Sequence, residues 1–380
     1  MHSAARTRWI ICLLGTALQV CLGSVYAWSY FQQPLRDAFG WSNSVTAWAF
    51  CVAICSLGLA AAWGGMQLAR FGPRRLAMLG GALFGAGYLI AALALALQSP
   101  ALLMLGYGVV GGSGLGLAYV TPVATVAKWF PDHKGLATGL VIMGFGLGAV
   151  VMSKVFAPLL VTFFADGYEM RYVTVNGHSV LEQPEVLQGI LVRTFATLGV
   201  LFVVLTVPLA WFLRDPPATY APAGWAPPPR TQSELSADLS ARRCIVSGRF
   251  AVMWLVFFCN ICAGIAVIGF QSPLFQDLWR SRDATLSVAA LASYGATLIA
   301  ATSLLNGIGR FAWGSLSDRI GRRLSFSLML GSQIAAFLAL AYTDSPWTFA
   351  VLCCAATCCC AMAAASAPCR VSSSMCLVRV

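Results

Sequence analysis

The stretch "WGSLSDRIGRR" (313–323) has a counterpart in the first half of the chain, "GGMQLARFGPRR" (64–75). Aligning Gly65 with Gly314 brings Arg70 onto Arg319, Gly72 onto Gly321 and Arg74 onto Arg323. Each copy joins two apolar runs. Glycines and charges match together, so the likeness exceeds that of two unrelated basic loops. A second echo, "FQQPLRD" (31–37) and "FQSPLFQD" (270–277), closes the first apolar run of each half. Two echoes in corresponding positions predict duplicated helical bundles, with a binding site at the interface between them.

The 380 residues are 59% apolar and only 10% charged, too few charges to cover a soluble protein of this length. Runs such as 76–97 and 101–127 carry no charge and exceed the ~20 residues that cross a bilayer. Only helices satisfy their backbone groups in lipid. The expected spans are 9–33, 44–66, 76–97, 101–126, 136–161, 190–212, 250–273, 286–313, 324–342 and one beginning near 346. The fold class is therefore an all-α polytopic membrane protein of about ten spans. The first apolar run continues past Tyr26 and Trp28 to Pro34 with no small-residue cleavage site, so it reads as a span and not as a leader. The organisation expected is an N-terminal six-helix bundle (1–213), a Pro-rich flexible cytoplasmic linker (214–249), an incomplete C-terminal bundle (250–354) and an anomalous tail (355–380).

A net charge of +11 raises the question of nucleic acid. With both termini inside, 15 of the 24 Lys and Arg fall in inside segments and five outside. That is the positive-inside pattern and excludes a nucleic-acid footprint. No His, Cys and carboxylate cluster stands at metal-ligand spacing, which leaves neither a metal site nor a cofactor nor enzyme chemistry. The glycines of "GVVGGSGLG" (108–116) lie inside a span without a preceding strand or a following Lys-Ser/Thr, so they read as close helix packing and not as a nucleotide loop.

The motif "GSLSDRIGRR" (314–323) is the loop signature of the major facilitator superfamily, and it stands where that family places its second copy. The chain resembles the superfamily over nearly its whole length. The run "GYGVVGGSGLGLAYVTPVATVAKWFPDHKGLATGLVIMGFGLGA" (106–149), with "NGIGRFAWGSLSDRIGRR" (306–323), resembles the oxalate/formate antiporter branch. The resemblance implies twelve spans in two six-helix bundles and alternating-access exchange of small carboxylates. It also implies a monomer in a bacterial inner membrane with its N-terminus cytoplasmic. A lactate- or pyruvate-type monocarboxylate carrier is the alternative, and a non-functional truncated product is another. The resemblance further implies a cytoplasmic latch built from Gly65, Arg70, Gly72 and Arg74 in one copy and Gly314, Asp318, Arg319, Gly321, Arg322 and Arg323 in the other. The first copy departs from the pattern. Ala69 stands where the second copy has Asp318, and Pro73 stands opposite Arg322.

Arg310 lies eight residues before Asp318, about 12 Å from the loop at ~1.5 Å per residue. A guanidinium at that depth faces the bundle interior and offers a planar fork that matches a carboxylate. The resemblance places a substrate-holding arginine at this "NGxGR" position. Snorkelling or a structural hydrogen bond are the competing readings. Lys154 sits about seven residues from the expected outer end of its span, within snorkelling reach, and is expected to be structural. Tyr26, Tyr30 and Gln33 share one helix face by spacing, and interfacial anchoring competes for Tyr30. Asn306, one turn from Arg310, can orient it. Tyr119 is a further candidate.

The tail holds seven of the 14 cysteines, from Cys353 to Cys376. Cysteine codons read one step out of register give leucine, and the shifted reading after Cys354 is an apolar, Gly-rich span. Residues 355–380 are thus expected to be out of frame. In related antiporters the eleventh span carries a second cationic ligand, a lysine, so the chain as written is expected to transport poorly or not at all, while a frame-restored one transports.

Overall fold

The computed structural model describes residues 2–167, 172–175, 178–217, 220–222, 225, 246–283 and 285–360. Of these, only the backbone is described at 2–5, 172–175, 178–180, 249, 314, 315, 317, 318, 322, 323 and 360. Positions 226–245 of the linker and 361–380 of the tail lie outside the described residues.

The chain is a string of apolar helices, and serines start several of them. α1 (His2–Leu22) runs through a 3₁₀ turn (Gly23–Ala27) into α2 (Trp28–Phe39), and together they make span 1. α3 (Asn43–Ala96) opens on Ser42, whose Oγ accepts from the Val45 amide at 3.3 Å. α4 (Pro100–Leu103) opens on Ser99 with Pro100 in its first turn. It continues through a π-helical stretch (Met104–Gly111) into α5 (Gly112–Trp129), completing span 4. Span 5 is α6 (Lys134–Val151), a π-helical turn (Met152–Phe156) and α7 (Ala157–Ala165). Span 6 is α8 (Pro184–Trp211). The second half comprises α9 (Gly248–Arg282), α10 (Val288–Ile320), α11 (Arg322–Ala341) and α12 (Pro346–Cys360), spans 7 to 10. Ser247 and Ser287 cap α9 and α10 by accepting from the Phe250 and Ala290 amides, each at 3.2 Å. Such caps satisfy amides that the helix itself leaves free.

Eight helices are long and apolar enough to cross a membrane. One of them, α3, is two spans joined at Gly72, so nine spans and a tenth, shorter apolar helix, α12, are present among the described residues. Their equivalents were expected from apolarity alone. An antiparallel hairpin between spans 5 and 6, β1 (Tyr172–Val175) and β2 (His178–Leu181), is the one departure from an all-helical chain among the described residues.

The repeat is visible in the backbone. Gly72 adopts φ 74°, ψ 162°, and Gly321, its aligned partner, adopts φ 82°, ψ 153°. This region is essentially closed to residues with a Cβ. Each glycine ends one helix and starts the next with nearly the same backbone angles, so the two motifs are the same turn made twice. Close approach of helices in the first copy falls at Gly64, where a Cβ would come within 3.0 Å of Leu117, and not at Gly65. Arg74 lies over the Trp211 ring at 4.9 Å and Arg70 over Phe71 at 5.5 Å, so both arginines rest on aromatic faces of their own half.

The first half is packed around aromatic rings. Trp28, Tyr88, Tyr107, Phe84, Phe195 and Phe202 are all buried and form a chain of ring contacts through spans 1, 3, 4 and 6. The described cysteines are free thiols, with Cys12, Cys353 and Cys359 buried as small apolar residues.

The first part of the linker is docked onto this half. Trp129 Nε1 donates to the Arg214 carbonyl at 2.7 Å, and the Tyr220 ring packs at a tilt against Trp129, centroids 4.9 Å apart. Lys128 pairs with Asp215 at 2.8 Å, but both side chains are more than a third exposed. We expect Asp215→Asn to leave the apparent Tm in detergent unchanged, because an exposed pair contributes under about 1 kcal/mol. Trp129→Ala, which empties a buried indole site, is expected to cost about 3 kcal/mol and lower Tm clearly.

Candidate functional site

The two halves meet along spans 5 and 8. A Cβ at Gly146 would lie 2.7 Å from the Gly307 Cα, so the two backbones touch there. One turn from Gly307, on the same helix, is Arg310.

Arg310 is buried, with 5% of its surface exposed. Its Nε donates to Asn306 Oδ1 at 3.0 Å, and Asn306 Nδ2 donates to the Thr357 carbonyl of span 10 at 3.0 Å. Asn306 thus orients the guanidinium from one turn away, as its spacing suggested. The Thr357 contact uses the backbone, so any residue at that position would serve. The guanidinium lies 5.8 Å from the centre of the Phe145 ring of span 5, within reach of a cation–π attraction. Tyr26 and Tyr119 each meet the same ring edge-on at 5.0 Å, and both hydroxyls lie against Arg310.

One guanidinium nitrogen, an Nη, is buried with no hydrogen-bond partner. The ion pairs formed among the described residues are Arg8–Asp132, Lys128–Asp215 and the longer His133–Asp132 contact, and none includes Arg310. A buried cation without a carboxylate is costly, and its free N–H can donate to an anion. We expect Asn306→Leu to weaken anion binding about 10-fold without unfolding the chain, since it frees the guanidinium to rotate while keeping the side-chain volume. Direct titration of the purified variant checks this.

Of the residues singled out from spacing, Tyr26, Tyr119 and Asn306 converge on Arg310. Gln33 and Tyr30 are placed elsewhere. Gln33 donates to Asp37 at 2.8 Å and accepts from Arg36 at 3.2 Å along its own helix. Tyr30 packs edge-on against Phe31 at 5.2 Å. Phe145 escaped notice because a Phe inside an apolar span carries no signal. Gln19 did carry one, as a lone amide in an apolar run. It is fully buried, and its Nε2 donates to the Tyr119 carbonyl at 3.0 Å.

Two related bundles with an uncompensated arginine at their interface are the architecture of a membrane carrier. Residues 12–375 match the family model described as Major Facilitator Superfamily, and the chain belongs to that family. It is 29% identical to apicoplast pyruvate carrier 1 of Toxoplasma gondii, covering 84% of this chain and 69% of that protein. It is 26% identical to the oxalate:formate antiporter of Oxalobacter formigenes, covering 88% of this chain and 68% of that protein. Among solved structures, the xylose transporter XylE of E. coli in a partially occluded inward-open conformation superposes with a TM-score of 0.60 at 15% identity, over 94% of this chain and 84% of that one. That likeness concerns the fold.

Proposed function

We propose that this chain carries small carboxylate anions across the membrane by alternating access, as an oxalate/formate-type exchanger with Arg310 as the anion ligand. The observation that carries the reading is the buried Arg310 guanidinium with an unpartnered nitrogen and no carboxylate among its described contacts. Tyr26 and Tyr119 supply hydroxyls beside it, and Asn306 holds its angle. The positive-inside pattern supports placing the Gly72 and Gly321 turns and the N-terminus on the cytoplasmic side of a plasma membrane. A monocarboxylate carrier of the pyruvate type is the second reading. It is favoured by a single cation at this site and by the pyruvate carrier among the relatives.

The test is counterflow in proteoliposomes preloaded with oxalate, formate, pyruvate or lactate. Saturable entry of a labelled carboxylate, lost in Arg310→Gln, is the expected result. Entry no faster than into empty liposomes for all four, with this chain and with a frame-restored one, would refute it.

A further inference from the structure

Lys154 lies on the same seam as Arg310, further from the Gly321 turn. The helix that carries it runs on to Ala165, eleven residues away, about 16 Å at ~1.5 Å per residue. A lysine side chain does not reach that helix end. The ammonium turns across the seam instead and donates to Thr297 Oγ1 of span 8 at 2.7 Å. Thr297 in turn donates to the Ser293 carbonyl at 2.7 Å, which orients its oxygen toward the lysine. A hydroxyl is neutral and leaves the charge uncompensated, and no ion pair among the described residues includes Lys154. Lys154 also keeps exposed surface, and it occupies the π-helical turn Met152–Phe156, a distortion that recurs at functional sites. Beside it, the Ser153 hydroxyl is buried without a partner. Thr297 precedes Arg310 by thirteen residues, about 20 Å along the helix, so one small anion cannot touch both cations at once.

We propose that Lys154 is a second anion contact of the same pathway, an outer station that a carboxylate meets before Arg310. While the outer parts of spans 5 and 8 are together, its ammonium is parked on Thr297. When they part, the bond breaks and the charge faces the opening. The anion half of this proposal rests on the carboxylate reading of Arg310; the tether half does not.

The full chain in nanodiscs, with Lys154→Met, Lys154→Arg and Thr297→Val, tests both halves. Stopped-flow binding of oxalate and of pyruvate from the outer side is expected to show association slowed about 10-fold at low salt in Lys154→Met, with a flatter salt dependence. Dissociation should change less than about twofold, because Arg310 still holds the anion, and Lys154→Arg should restore the rate. Without any anion, hydrogen–deuterium exchange is expected to rise at the outer parts of spans 5 and 8 in Lys154→Met and Thr297→Val. It should fall around Gly72 and Gly321. If the unaltered chain binds neither probe, the Arg310 reading fails and the outer station fails with it. Binding with unaltered association in Lys154→Met overturns the outer station alone. Exchange that is unchanged, or raised throughout the chain, overturns the tether.

Discussion

Arg310→Gln is expected to weaken carboxylate binding at least about 30-fold while leaving the helical content and the detergent elution profile unchanged. Removing one member of a buried charge pair costs about 2–5 kcal/mol, and each 1.4 kcal/mol is about tenfold in affinity. Glutamine keeps a hydrogen-bonding group for Asn306, so the span 8 to span 10 contact through Thr357 survives. Arg310→Lys separates charge from shape. It retains a cation but loses the planar fork and the Nε bond to Asn306, so intermediate affinity is expected. Equal binding by all three would mean that the anion goes elsewhere.

Gly23→Ala is expected to have the largest effect on stability of any single methyl added to the chain. A Cβ there would collide with the Phe145 carbonyl, which is backbone and cannot rotate away. Overpacking of this kind costs about 1–3 kcal/mol, occasionally more. The consequence reaches function, because Gly23 opens the 3₁₀ turn that carries Tyr26, and Phe145 is the ring beneath Arg310. Pushing span 1 from span 5 therefore displaces two walls of the site. A lowered apparent Tm together with weakened carboxylate binding is the expected outcome. Gly189→Ala, where no other element comes within 4 Å of the added carbon, is the matched control and should lower neither.

The architecture was legible in the sequence because the features that specify it are chemical extremes. Long uncharged runs have few alternatives to a membrane span. Gly72 and Gly321 mark identical turns because no other residue tolerates their backbone angles. Arg310 stood out because a guanidinium inside an apolar run is expensive. What escaped sequence reasoning depends on tertiary partners or on small departures from ideal helix. Spacing set Gln33 near Tyr26 but could not show that Gln33 bonds Asp37 and Arg36 along its own helix. Proline content marked residues 214–249 as loose, yet Arg214, Asp215 and Tyr220 are held by Trp129 and Lys128. The partner of Lys154 was not legible because Thr297 lies on another helix, far away in sequence.

The central claim is that a carboxylate binds the Arg310 guanidinium directly. Solid-state NMR on the full chain, with ¹⁵N in the arginine guanidinium groups and ¹³C in the carboxylates of bound oxalate or pyruvate, tests it most directly. A dipolar coupling between bound carboxylate carbon and a guanidinium nitrogen, absent in Arg310→Gln, is the expected result. A bound carboxylate with no such coupling, or one whose coupling persists in Arg310→Gln, would contradict it.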